Sequence, residues 1–210
     1  MKALGMIEVY GFSNAVFAAD AAAKAADVRI IAFDRNRPFG KFPVPLIMQV
    51  KMEGSVSAVR SALGAAESFA KSVDRYIVSH IIPNPGEGVE KLAYRIDINR
   101  DKFNKKLPKS FLGADEPVIE NKAAIALLEV EGLVASVVGL DSMLKTANVR
   151  LIHSEKRLGG RLVTYVVTGS VSAVTAAVHS GKEAASAVGK VYGDIVIANP
   201  HDEVLKFFDI

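Results

Sequence analysis

Gly54-Ser55-Val56-Ser57-Ala58-Val59 and Gly169-Ser170-Val171-Ser172-Ala173-Val174 are the same six residues, 115 positions apart in one chain. Upstream, Leu4-Gly5-Met6-Ile7-Glu8-Val9 is answered by Ile125-Ala126-Leu127-Leu128-Glu129-Val130 at a spacing of 121. At that spacing Asp20-Ala21-Ala22-Ala23-Lys24-Ala25-Ala26-Asp27-Val28-Arg29-Ile30 also parallels Asp141 to Leu151. Downstream, Asn84-Pro85 returns as Asn199-Pro200 at 115. The fall in spacing puts about six extra residues in the first copy between Val28 and Gly54. A repeat this long is a duplicated domain, since a solenoid unit spans only about 20–50 residues.

Each copy reads as the same run of elements. Ala3 to Tyr10 is a strand stopped by Gly11, and Ser13 is the expected N-cap of an Ala-rich helix to Ala26. Small side chains there let a helix sit close on a sheet. Val28 to Phe33 and Val44 to Met52 are the next strands. Ser55 caps a second helix in which Val56, Val59, Leu63, Ala66, Ala70 and Val73 follow the 3.6-residue period. Tyr76 to Ile82 is the last strand, stopped by Pro83. The second copy yields strands near 123–130, 149–154, 161–168 and 192–198, with helices near 133–147 and 171–188. This β-α-β-β-α-β order predicts an α+β chain of two tandem ferredoxin-like domains, unpermuted, each a four-stranded antiparallel sheet with both helices on one face. The expected divisions are residues 1–90, a charged connector 91–122, and residues 123–210. The stretch 90–122 holds eight bases and six acids with Pro108 and Pro117. It reads as a solvated surface run with a short strand at 94–98.

Composition narrows the function. The 210 residues are 50 % hydrophobic with a net charge of +3, which excludes intrinsic disorder. The absence of cysteine excludes a disulfide framework, a thiolate zinc site, a cysteine nucleophile and a cysteine-ligated iron–sulfur cluster. Lys and Arg are dispersed among 23 acids, which argues against nucleic acid as a partner. The uncharged run Leu162 to Gly181 is long enough to span a bilayer. Gly169-Ser170 divides it into a strand and a helix, so no membrane association is expected. At the N-terminus Glu8 interrupts any signal-peptide pattern.

Catalytic signatures fail one by one. Gly40-Lys41 and Gly181-Lys182 lack the following Ser or Thr and the upstream Gly of a P-loop, and Gly86-Glu87-Gly88 follows Pro85 instead of opening a helix. There is no G-x-S-x-G elbow. His80, His153, His179 and His201 show no metal-binding spacing, and His153, beside the second loop, reads as structural or solvated. Glu8 and Glu129 are twins whose expected partner is a neighbouring helix or subunit. No catalytic residue, metal or cofactor is expected, and the chain does not read as an enzyme. What remains is the loop between the second and third strands of each copy. It reads Asp34-Arg35-Asn36-Arg37-Pro38-Phe39-Gly40-Lys41 in one and Glu155-Lys156-Arg157-Leu158-Gly159-Gly160-Arg161 in the other. Each carries three bases and one acid, and its glycines expose backbone N–H groups that can nest an anion. Two exposed basic hairpin tips are the plainer reading.

The series Ala3-Leu4-Gly5-Met6-Ile7-Glu8, Lys24-Ala25-Ala26-Asp27-Val28, Gly54 to Val59 and Ile81-Ile82-Pro83-Asn84-Pro85 resembles the bacterial microcompartment shell domain. The second copy repeats it through Val196-Ile197-Ala198-Asn199-Pro200-His201. The chain therefore resembles the tandem-domain, trimer-forming shell proteins. The resemblance implies a flat pseudohexagonal tile of three chains, within a shell in the bacterial cytoplasm. It implies a central metabolite pore lined by Arg37, Pro38, Phe39, Gly40 and Lys41, with Arg157, Leu158, Gly159, Gly160 and Arg161. Lys24, Lys145, Asn84 and Asn199 would lie at the tile edge, with Lys24 and Lys145 meeting neighbouring tiles; an i, i+4 pairing with Asp20 and Asp141 is the local alternative. The family often has Arg at the positions of Asn84 and Asn199, so contacts of that Arg do not carry over. Some tandem members hold an iron–sulfur cluster at the pore through cysteine, which this chain lacks. Expected partners are two further copies of the chain, other shell tiles and small, anionic metabolites. The competing reading is a ferredoxin-like trimeric regulator that binds a small anion and forms no sheets.

Overall fold

The computed structural model describes residues 2–36, 42–86, 89, 93, 123–155 and 159–208. In the first half β1 (Ala3–Tyr10), α1 (Phe12–Ala25), β2 (Arg29–Asn36), β3 (Ile47–Gly54), α2 (Val56–Ser72) and β4 (Tyr76–Ile82) follow in order. In the second half they recur as β5 (Ala124–Glu131), α3 (Leu133–Thr146), β6 (Arg150–Glu155), β7 (Leu162–Gly169), α4 (Val171–Ser186) and β8 (Val191–Ile197). A short α5 (Asp202–Leu205) ends the chain. The sheets run β2-β3-β1-β4 and β6-β7-β5-β8, with every pairing antiparallel. This is the expected pair of unpermuted ferredoxin-like domains.

The duplication extends to the irregularities. The β1–β4 ladder slips after Glu8, and the β5–β8 ladder slips after Glu129. The β2–β3 and β6–β7 ladders slip between Ile30 and Ala32 and between Leu151 and His153, 121 residues apart. Ser55 accepts a hydrogen bond from the Ala58 N–H at 3.1 Å, and Ser170 from that of Ala173 at 3.2 Å. The repeated hexapeptide is therefore a strand end, a serine cap and a first helical turn. The uncharged run from Leu162 divides as expected into β7 and α4, and no described helix is long and apolar enough to cross a membrane.

Three local expectations need correction. The second strand runs on to Asn36, because β3 supplies partners from Arg29 to Asn36 at every position but the slipped Ile31. The third starts at Ile47: Val44 and Leu46 are buried, but as loop residues. Ser13 is not an N-cap. Helix α1 begins at Phe12, directly after Gly11, whose φ of 85° carries the turn, and no side chain of its own segment caps it. The connector 91–122, apart from Ala93, lies outside the described residues.

Odd-numbered β1 residues face α1 and α2. On the opposite face Leu4 and Ile31 are buried with Ala93, and Met6, Ile82 and Val89 pack against them. In the second half Ala124, Ala126, Leu128 and Val130 face α3 and α4. The other β5 face, Ile125 and Leu127, joins the core of the first half together with Phe207 and Phe208. One continuous apolar core thus crosses between the two domains.

Candidate functional site

The first turn of a helix leaves backbone N–H groups without helical acceptors and carries partial positive charge. At α1 the other half of the chain satisfies them. Glu129 Oε1 accepts from the Phe12 N–H at 2.9 Å, while Oε2 accepts from the Ser13 N–H at 3.2 Å and the Ser13 hydroxyl at 2.7 Å. Glu129 and Ser13 are fully buried. Burial pushes the Glu129 carboxyl above the ordinary carboxylate range, against the opposing pull of the Phe12 and Ser13 hydrogen bonds and the Arg75 charge. Beside it Gly193 on β8 lies so close to Ser13 that a Cβ at 193 would overlap the hydroxyl. The twin carboxylate Glu129 thus has the neighbouring-helix partner expected from the sequence.

The chain's last segment reinforces this seam. The His201 N–H donates to buried Asp20 at 2.7 Å, and Glu203 accepts from the Ile30 N–H at 2.5 Å. Phe207 packs edge-on to Phe33 with ring centroids 4.8 Å apart. The His153 ring lies 5.3 Å from Phe208, with Nε2 3.9 Å from Glu155, a structural placement. Sequence reading missed this strap; the signal was Phe207-Phe208, an apolar pair at the end of a polar segment.

The two loops between the second and third strands return over neighbouring ground. Gly160, at φ 64°, has a would-be Cβ 2.6 Å from the Pro45 carbonyl oxygen, so the second loop rests on the returning arm of the first. The loops also brace the helix starts equivalently: the Gly11 N–H donates to the Leu46 carbonyl at 3.0 Å, and the Gly132 N–H to that of Arg161 at 2.8 Å. Arg161 is exposed, with φ 60°, and reaches Glu131 at 3.7 Å. Asp34 is joined to Lys51 at 3.0 Å. Gly159 and Gly160 are also described. Arg37, Pro38, Phe39, Gly40, Lys41, Lys156, Arg157 and Leu158 lie outside the described residues.

The edge candidates are on the surface. Lys24 pairs with Asp20 at 2.5 Å and Lys145 with Asp141 at 2.6 Å, so the local i, i+4 pair is present in both halves. Asn84 and Asn199 are exposed bends after β4 and β8. Among the described residues no three of His, Asp and Glu come together as a metal group.

The BMC domain matches residues 3–85 and again 124–200. The carboxysome assembly protein CcmO of Synechococcus elongatus is 32 % identical over 203 residues, covering 97 % of this chain and 67 % of that protein. The bacterial microcompartment shell protein PduA of Salmonella typhimurium is 45 % identical over 83 residues, 40 % of this chain and 87 % of that one. A solved microcompartment protein from Desulfitobacterium hafniense covers 97 % of this chain and 98 % of its own, at 24 % identity and a TM-score of 0.38.

Proposed function

The chain belongs to the BMC domain family, with two of its domains in tandem, and from that premise we propose that three copies close into a pseudohexagonal tile of a bacterial microcompartment shell. Two equivalent domains per chain give six places around one axis, and closed C3 symmetry supplies the third-order repeat. The observation that carries this reading is the packing of Gly160 on Pro45, which sets the returning arms of the two loops against each other. Around a threefold axis such pairs would form one ring.

In that tile the pore is lined by Arg37, Pro38, Phe39, Gly40 and Lys41 from one loop and by Arg157, Leu158, Gly159, Gly160 and Arg161 from the other. Asp34 already answers Lys51 and Arg161 is drawn toward Glu131, and the loops' further bases in the sequence are Arg35, Arg37, Lys41, Lys156 and Arg157. Rings of basic side chains favour anions at a constriction, which suits small anionic metabolites. Lys24 and Lys145, with Asn84 and Asn199, would form the tile edge that meets other shell proteins in the cytoplasm. The divisions 1–90, 91–122 and 123–210 assign one tile position to each domain.

Native mass spectrometry should give three times the 22.4 kDa chain, and electron microscopy should show sheets with hexagonal order. A stable monomer or dimer overturns the tile. Changing Lys24 and Lys145 to Asp should abolish sheets and leave trimers; unaltered sheets would remove these lysines from the edge. In planar bilayers, cation preference would overturn the anionic pore.

A further inference from the structure

We propose that the start of α3 is a docking face for a second copy of this chain, whose Glu8 carboxylate closes over the Leu133 and Val134 N–H groups. The inference rests on the ring reading above and specifies the contact that would make it.

The two first helices begin alike. Each follows directly on a glycine with positive φ, 85° at Gly11 and 93° at Gly132, and neither has a side-chain cap in its own segment. The start of α1 is sealed by Glu129. The start of α3 instead presents apolar side chains to solvent, with Leu133 59 % and Val134 71 % exposed, followed by Val137. The chain also carries an unused copy of the group that does the sealing. Glu8 stands opposite Val78 in its ladder as Glu129 stands opposite Gly193, with the same slip immediately after each. Val78 beside it is 50 % exposed. One seam is thus made within the chain, and both halves of a second seam lie open on it, one per domain. A head-to-tail neighbour is the one occupant that brings both halves together.

The same operation supplies a second contact. Asp20 accepts from the His201 N–H, which follows Asn199-Pro200. Its twin Asp141 is exposed, paired with Lys145. Gly86, which follows Asn84-Pro85, is exposed too. The second copy's Gly86 N–H then reaches Asp141 as His201 reaches Asp20.

The two seams are alike in backbone and unlike in side chains. Within the chain, Gly193 lies against Ser13, and the hydroxyl gives the carboxylate a third hydrogen bond. Between chains, Val78 would lie against Val134, an apolar pair, and the carboxylate would have two N–H donors. Exchanging partners fails both ways. A valine opposite Ser13 collides where even a Cβ overlaps, and Gly193 opposite Val134 leaves a gap. The pairing therefore makes first and second domains alternate around the ring, which is specificity achieved by a steric penalty on the wrong neighbour.

The chain has no cysteine, which makes a direct test clean. With Val78→Cys and Val134→Cys in one chain, mild oxidation should link copies into a ladder that ends at three. Either substitution alone should leave single chains on a denaturing gel. A double variant that is trimeric by light scattering but does not cross-link overturns this docking face and leaves the ring reading standing. A ladder that stops at two, or continues beyond three, overturns the head-to-tail closure. If the unsubstituted protein is monomeric, ring and docking face both fail. Val134→Asp, at an exposed site that tolerates charge in the single chain, should keep the circular dichroism spectrum and lose the trimer at micromolar concentration. A retained trimer overturns the proposal.

Discussion

Helices α1 and α3 descend from the same repeat, yet α1 buries ten of its fourteen residues and α3 buries four of its fourteen. The strands before them differ in the same sense. β1 alternates between buried and half-buried positions after Gly5, whereas β5 is buried along seven of its eight residues. Neither difference comes from the domain fold, which repeats to the level of its ladder slips. It comes from the neighbour. The second half lays β5, β8 and its last segment on α1 and β2, whereas the described neighbours of α3 are α4, β5 and β7 of its own half. The residues have adapted: Phe12 and Ser13 stand in the sealed helix where Leu133 and Val134 stand in the open one.

The largest asymmetry should appear at the twin glutamates. Glu129→Ala strands two buried N–H groups and a hydroxyl, so it should cost about 2–4 kcal/mol, read as a lower urea midpoint. Glu8→Ala should change single-chain stability by less than about 0.5 kcal/mol, the usual range for surface changes, and should act on association. Equal costs would break the comparison. The same site has a pH signature. The folded-state pKa of Glu129 lies above its unfolded value, so folding takes up a proton in the window between them. Stability from this group is therefore present below the window and declines as pH rises through it. Glu129→Gln should flatten that slope, measured as unfolding free energy across mildly acidic to neutral pH.

A smaller effect is expected one residue deep in the seam. Gly193→Val forces a side chain into Ser13 and should cost about 1–3 kcal/mol, the range for overpacking. The twin change Val78→Gly removes an exposed side chain and should cost the single chain less than this. If Gly193→Val is tolerated, the close approach of β8 to α1 is wrong. The smallest effect tests where the halves should agree. Ser55→Ala and Ser170→Ala remove equivalent caps at exposed helix starts, so each should lower stability by about 1 kcal/mol. Unequal losses would show that the seam reaches the second helices.

Most of the fold was legible because it depends on short-range signals that occur twice. The hexapeptide at Gly54 and Gly169 is a cap that works through its own N–H at i+3, so its role is local. Strand alternation in β1 and the apolar period of α2 are equally local. The strand ends at Asn36 and Ile47 were set by the β2–β3 pairing itself, and the error at Ser13 fell where a distant segment intervened. Ser13 has the composition of an N-cap, but its hydroxyl donates to Glu129, 116 residues away. Of the candidate sites, the i, i+4 pairs of Lys24 and Lys145 were readable from spacing. The contact of Gly160 with Pro45 was not, since it joins loops of different domains.

The sequence by itself determined the duplication, the order of elements, the lack of cysteine chemistry and membership in a family of repeated domains, because each is written in residue identity and period. Only the tertiary structure decided that the two copies are unequal. Glu8 and Glu129 are the same letter at the same strand position, and what separates them is whether a helix start stands opposite. In a folded chain that depends on how two domains dock, through desolvation and hydrogen bonds made across more than a hundred residues, which no local pattern encodes.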